Sequence, residues 1–314
     1  MTRIAMMGSG AVGGYFGGRM AAAGCDVTFI ARGEHLEAIR ERGLQIDSPA
    51  LGDTCVYPAT ATDDPGETGV VDYVIVCVKL WDSAAAAEAM RPMVGPETTI
   101  LSLQNGVETD ELERVFGSRC MLGASAYIGG TIEAPGVIRH VGTMQRVVMG
   151  ERGGGSSDRV ERLLAALRRG GVDADASDDI QRTIWEKFVF LVGLSAATTL
   201  FRTSLGRVRE DPEAREVLLD AMRETAAVAR AFGIALEPGF ARGRLEFADG
   251  LPAEMTSSMR TDLEQGNRLE LEWLSGAVVR FGREAGIQTP ANDKVHETLL
   301  PYASGCSGGM PLAR

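Results

Sequence analysis

At 314 residues the chain is long enough for two domains, each able to bury its own core. Its net charge of −11, from 32 basic against 43 acidic side chains, argues against a nucleic-acid partner, because phosphate-backbone binders carry basic faces. A content of 45% hydrophobic and 24% charged residues is ordinary for a soluble globular protein.

The first apolar run, Arg3-Ile4-Ala5-Met6-Met7, passes directly into a glycine turn. It reads as a buried strand, with no separate apolar region or cleavage site of a signal segment. Gly8-Ser9-Gly10-Ala11-Val12-Gly13 fits GxGxxG between that strand and a helix over Ala11–Ala23. In a dinucleotide site the first glycine permits the tight turn and the second lets backbone approach the pyrophosphate. The third allows close helix–strand packing, and the helix N-terminus stabilises phosphate charge. The alternative is a glycine-rich turn in some other α/β protein.

The second strand, Asp26–Ala31, ends in Arg32. A reader of the ribose 2′-hydroxyl would be acidic there, whereas a guanidinium can bind a 2′-phosphate bidentately. Asp26 stands at the wrong end of the strand. NADPH is therefore expected over NADH, against the alternative of Arg32 as a solvated loop charge. Asp72–Lys79 follows as a third strand. Its core, Tyr73-Val74-Ile75-Val76-Cys77-Val78, is apolar on both faces, as suits the centre of a parallel sheet. A helix over Ser83–Met93 leads to a fourth strand, Thr98–Gln104. This alternation is the pattern of βαβ units. Lys79 and Asn105-Gly106 close the third and fourth strands, at the carboxyl ends where open α/β sheets bind ligands. Asn105-Gly106 alone could be a simple turn, but this position makes contact on the nicotinamide ribose side the expectation.

Met121 to Gly150 is rich in β-branched residues and glycine and should add antiparallel strands at the sheet edge. Gly153-Gly154-Gly155-Ser156-Ser157 is a loop, with Asp158 as N-cap of a helix over Arg159–Arg169. From about Ile180 the texture changes to amphipathic stretches (180–201, 211–233, 254–265, 267–285 and 291–302) without strand signal. The expected division is a dinucleotide-binding domain over 1–178 and an all-helical domain over 179–314. The glycine-rich tail, Ser304 to Arg314, reads as frayed. The most apolar run, Phe188 to Leu194, is seven residues and far short of a membrane span, so no membrane partner is expected. Cys25, Cys55, Cys77, Cys120 and Cys306 are scattered and never spaced as CxxC, and there are three histidines. Reduced thiols in a cytoplasmic protein with no metal site is the resulting expectation.

In the helical half, Lys187 heads an almost wholly apolar helix in Trp185-Glu186-Lys187-Phe188-Val189-Phe190-Leu191. Taken alone it could snorkel to solvent or pair with Glu186. If it lines a cleft, desolvation lowers its pKa into the range useful for a general acid, and ketone reduction needs a proton on the developing alkoxide. Further on, Ser257-Ser258-Met259-Arg260-Thr261-Asp262 precedes Leu269-Glu270-Leu271-Glu272-Trp273-Leu274. On one helix Glu270 would share a buried face with Trp273, Leu274, Ala277 and Phe281, and Glu272 would be solvated. A carboxylate on an apolar stripe is costly unless paired, and a lysine is its natural partner.

Together these residues resemble the ketopantoate reductase (2-dehydropantoate 2-reductase) family through nearly the whole chain. The carrying motifs are GSGAVG at 8–13, Ala31-Arg32, Val78-Lys79-Leu80-Trp81, Gln104-Asn105-Gly106-Val107, Trp185-Glu186-Lys187-Phe188, Ser257-Ser258-Met259 with Asp262, and Glu270. The resemblance implies an α/β Rossmann dinucleotide-binding domain followed by a helical domain like that of 6-phosphogluconate dehydrogenase. It implies Lys187 as general acid, with Glu270 holding cofactor, substrate and that lysine. Asn105 and Ser258 would contact a small 2-oxo acid, and Arg32, Lys79 and Gly129 the NADPH. The implied reaction sends hydride to the C2 ketone of ketopantoate, giving pantoate for coenzyme A synthesis. Leu191 and Ser195 stand on the pocket helix where the family typically has asparagines. That makes the substrate wall more apolar and leaves a substrate hydroxyl with fewer partners. A reductase of a more apolar 2-oxo acid and a reductive-amination enzyme are the enzymatic alternatives. A nucleotide sensor would need neither Lys187 nor Glu270. Apolar helices of such domains often pair, so a homodimer is one expected form.

Overall fold

The computed structural model describes residues 2–305, so Cys306 and nearly all of the tail lie outside the described residues. The chain divides into two compact units: 1–105 with 109–183, and 106–108 with 184–314.

The first unit runs β1 (Arg3–Met7), α1 (Ala11–Ala22), β2 (Asp26–Ile30), α2 (Gly33–Arg42), β3 (Leu44–Asp47), β4 (Thr54–Val56), β5 (Thr60–Thr62) and β6 (Tyr73–Val76). It continues through α3 (Ser83–Ala89), β7 (Thr99–Ser102), α4 (Asp110–Phe116), β8 (Met121–Ala134), β9 (Val137–Glu151), α5 (Asp158–Arg169) and β10 (Asp173–Ala176). One sheet carries the order β4-β3-β9-β8-β7-β6-β1-β2-β5, with β10 beside β9. β7, β6, β1, β2 and β5 are mutually parallel, and β6, between β7 and β1, is buried along its length. Helices cover both faces. Tyr15, Phe16 and Met20 of α1, Ile39 of α2 and Leu163 of α5 fill one side, while Ala86, Ala87 and Leu112 fill the other.

Three expectations need correction. The β8–β9 hairpin is antiparallel but is not the sheet edge: β3 pairs with β9 in parallel, and β4 lies outside β3. β9 is long enough to carry β8 on one side and both β3 and β10 on the other. The N-cap of α5 is Ser157, whose Oγ accepts from the Val160 amide, with Asp158 inside the first turn. The helix expected over Ser83–Met93 breaks at Ala89, and Arg91–Met93 forms a 3-10 turn, because Pro92 has no amide to continue the ladder.

The second unit is helical, with no strand among the described residues. It holds most of α6 (Ile180–Leu200), then α7 (Leu205–Glu210), α8 (Pro212–Ala231), α9 (Phe240–Asp249), α10 (Ser258–Gln265), α11 (Ser275–Ala285) and α12 (Pro290–Leu299). By length and composition α6 could cross a membrane, and its 21-residue span far exceeds the apolar run read from sequence. Its packing is that of a core helix: Phe188, Val189, Val192, Ala196 and Ala197 are buried with Leu218, Met222, Met259 and Val278.

Candidate active site

The glycine loop is built by close backbone approach. Gly8 has φ +97°, and a Cβ on it would lie 2.9 Å from the Val78 amide nitrogen. A Cβ on Gly13 would meet the Gly8 carbonyl oxygen at 2.0 Å, so α1 can start against the strand only with glycine there. Gly10 is less crowded, the nearest atom to a Cβ there being Ile132 Cδ1 in ordinary van der Waals contact at 3.9 Å. Gly10 is also the N-cap of α1 and offers no side-chain cap, so the first-turn amides of Ala11, Val12 and Gly13 face outward for an anion. Ser9 is buried, its amide and its Oγ both donating to the Ile30 carbonyl at 3.1 Å. The loop is an open cradle of the kind a pyrophosphate fits.

Arg32 lies at the carboxyl end of β2, exposed, and forms no ion pair among the described residues. Lys79 follows β6, half-buried, with Nζ 5.5 Å from the Trp81 ring centroid. Asn105 is half-buried just beyond β7. Gln104, to which the sequence reading assigned no role of its own, ties these ends together. Its Nε2 donates to the Val78 carbonyl at 3.0 Å and to Ser83 Oγ at 2.8 Å, while Ser102 Oγ donates to its Oε1 at 2.9 Å. An amide closing an apolar strand was the available signal. Gly129 is exposed on β8 at a register irregularity opposite Val141. Cys77, just after β6, has its thiol pKa pushed up by burial, which disfavours the reactive thiolate.

In the second unit, Lys187 opens the third turn of α6. It keeps some accessible surface, yet burial pushes its pKa down to about 8, while the Glu270 carboxylate pulls it the other way. Glu270 is only 6% exposed. It does not share a helix face with Ala277 and Phe281. Leu271–Trp273 is a 3-10 turn, and Leu274, with ψ −102°, separates it from α11. Glu272 is not simply solvated, because its Oε1 is 2.9 Å from His296 Nε2. Leu191 is half-buried one turn beyond Lys187. Ser195 is 1% exposed, and its Oγ has no hydrogen-bond partner among the described residues. One turn further, Thr198 Oγ1 lies 2.9 Å from Ser257 Oγ, the N-cap of α10, with Ser258 exposed beside it. The rings of Phe190 and Phe247 meet edge-to-face at 5.6 Å.

Residues 4–154 match the family described as ketopantoate reductase PanE/ApbA, and residues 179–303 match the C-terminal region of that family. A 2-dehydropantoate 2-reductase of Halobacterium salinarum is 34% identical over 292 residues, covering 92% of this chain and 94% of that protein. The crystal structure of a PanE/ApbA family ketopantoate reductase from Ralstonia eutropha is 33% identical with TM-score 0.87, covering 96% of this chain and 98% of that one. A 2-dehydropantoate 2-reductase from Geobacter metallireducens is 31% identical with TM-score 0.89, over 95% and 99% of the two chains. With both halves of the family matched, and the sheet unit and helical unit each built as described, the chain belongs to the ketopantoate reductase family of oxidoreductases.

Proposed function

We propose that the chain is an NADPH-dependent 2-oxo acid reductase that converts 2-dehydropantoate to pantoate, in the cytoplasmic supply of pantothenate and coenzyme A. The observation that carries this reading is Lys187, whose pKa of about 8 leaves it mostly protonated near neutrality yet ready to give the proton up. When bound, the nicotinamide supplies the hydride. The glycine loop would hold the pyrophosphate on the amides of Ala11, Val12 and Gly13, Arg32 would take the 2′-phosphate, Lys79 and Asn105 would hold the nicotinamide ribose side, and Gly129 would contact the cofactor. Lys187 Nζ steadies the charge that develops on the substrate's C2 oxygen and delivers its proton there. Glu270 keeps that lysine charged and oriented, while Asn105 and Ser258 hold the 2-oxo acid. We assign residues 1–178 to dinucleotide binding and 179–314 to substrate and acid.

Leu191 supports a second reading, a 2-oxo acid with a more apolar tail. NADPH oxidation followed spectrophotometrically across a panel of 2-oxo acids tests both. Turnover best with ketopantoate is expected; turnover best with alkyl or aromatic 2-oxo acids would favour the second reading. No oxidation with any of them would remove the enzyme assignment.

A further inference from the structure

The imidazole of His35, in the first turn of α2, is bonded at both ring nitrogens. Its Nε2 lies 2.9 Å from the Ser9 carbonyl oxygen, and the Gly136 amide donates to its Nδ1 at 3.0 Å. A carbonyl only accepts and an amide only donates, so these two bonds select the neutral ring with its proton on Nε2. The partners are far apart in sequence, 26 residues before His35 and 101 after it.

Each partner belongs to one side of the contact between the glycine loop and the β8–β9 hairpin. Ser9 is part of the glycine loop. Its amide and hydroxyl are both committed to Ile30, so the carbonyl is the group through which α2 can hold the loop. Gly136 closes the turn between β8 and β9, and its carbonyl accepts from the Gln45 amide at 2.9 Å. From that turn β8 runs back across the start of α1. A Cβ on Gly130 would lie 3.6 Å from Ala11 Cβ, and one on Gly10 would lie 3.9 Å from Ile132 Cδ1. One ring therefore ties the glycine loop to the hairpin turn.

We propose that His35 is a positioning residue for dinucleotide binding, its Nε2–H tautomer holding the glycine loop against the β8–β9 hairpin and so fixing the loop amides that receive the pyrophosphate. This rests on reading the loop as the cofactor site. Loss of the ring lets both sides relax, so cofactor affinity falls while proton delivery to the substrate is untouched.

The test is fluorescence titration with NADPH and with NADH, plus steady-state kinetics and Tm, on the wild type and on His35→Ala, His35→Gln and His35→Asn. Gln carries a donor near the position of Nε2 and Asn an acceptor near that of Nδ1, so each can restore one of the two bonds. His35→Ala is expected to raise Kd and KM for the cofactor roughly tenfold, the scale of one ordinary hydrogen bond. Its kcat at saturating cofactor and its KM for the 2-oxo acid should stay within about twofold. The Gln and Asn variants should each recover part of the lost affinity. Should His35→Ala fail to fold, partial loss in Gln and Asn carries the test. Unchanged cofactor affinity in the variants of a wild type that binds cofactor overturns the role of His35 alone. A fall in Tm without a change in KM, or a fall in kcat with KM constant, does the same. A wild type that binds neither cofactor overturns the reading of the loop as well.

Discussion

At the scale of single residues, Lys187 has the most distinctive chemistry in the chain. Burial disfavours its charged form and Glu270 favours it, leaving a pKa of about 8. A general acid must be protonated to act, so kcat/KM for reduction should be level below that pH and fall above it by roughly tenfold per unit. Glu270→Gln removes the group that raises the lysine's pKa, so the descending limb should move to lower pH. Lys187→Ala should lower turnover by roughly 10²–10⁴-fold with cofactor binding intact. A pH–rate profile of the three proteins checks all of this. A limb that stays in place in Glu270→Gln would mean that the carboxylate does not act on the lysine. Turnover of Lys187→Ala within a few-fold of wild type would make the lysine structural.

At the scale of elements, α6 would carry both the proposed acid and the proposed pocket wall. Lys187, Leu191 and Ser195 succeed one another at four-residue steps, each about 40° further round. Leu191 therefore follows Lys187 on nearly the same face. A substrate hydroxyl held unpaired against leucine costs about 1–3 kcal/mol. We expect only a weak preference for ketopantoate over its deoxy analogue, and Leu191→Asn should raise kcat/KM for ketopantoate relative to that analogue. Comparing both substrates on both proteins decides the matter. A strong wild-type preference for ketopantoate would show that another group, Ser195 among them, takes the hydroxyl. Helix ends in this unit are set by tertiary partners as much as by local sequence. Glu224 of α8 accepts from the amides of Ala291 and Asn292 at 2.7 and 2.9 Å, capping α12 from 67 residues away. Thr289, at the N-cap position of α12, makes no such bond.

At the scale of the whole molecule, cofactor binding is linked to stability. A ligand that binds only the folded chain, at about 100 times its Kd, adds about 2.7 kcal/mol. Because Arg32 is exposed and unpaired among the described residues, NADPH should raise Tm by more than NADH at equal concentration. Arg32→Ala should lose about 1.5–3 kcal/mol of NADPH binding, the value of a hydrogen bond to a charged group, and bring the two shifts together. Equal shifts in the wild type would remove the phosphate-reading role.

The periodicities of the chain carried much of this by themselves. The strand–GxGxxG–helix run, the doubly apolar β6 and the loss of strand signal after Ile180 are local patterns. They lead to a sheet unit and a helical unit because each element must bury its own apolar face. The short strands β3, β4 and β5 and the helices α2, α7 and α9 were not legible, because pairing and tertiary packing rather than periodicity hold them. Lys187 and Glu270 were legible as residues out of place on apolar stretches. The break at Leu274 was not, since no proline or glycine stands there to signal it. Only the tertiary structure decided that the β8–β9 hairpin lies inside the sheet, because an edge is defined by which strand arrives beside it. It alone brought His35 between Ser9 and Gly136, a contact set by folding the sheet rather than by any spacing in the chain.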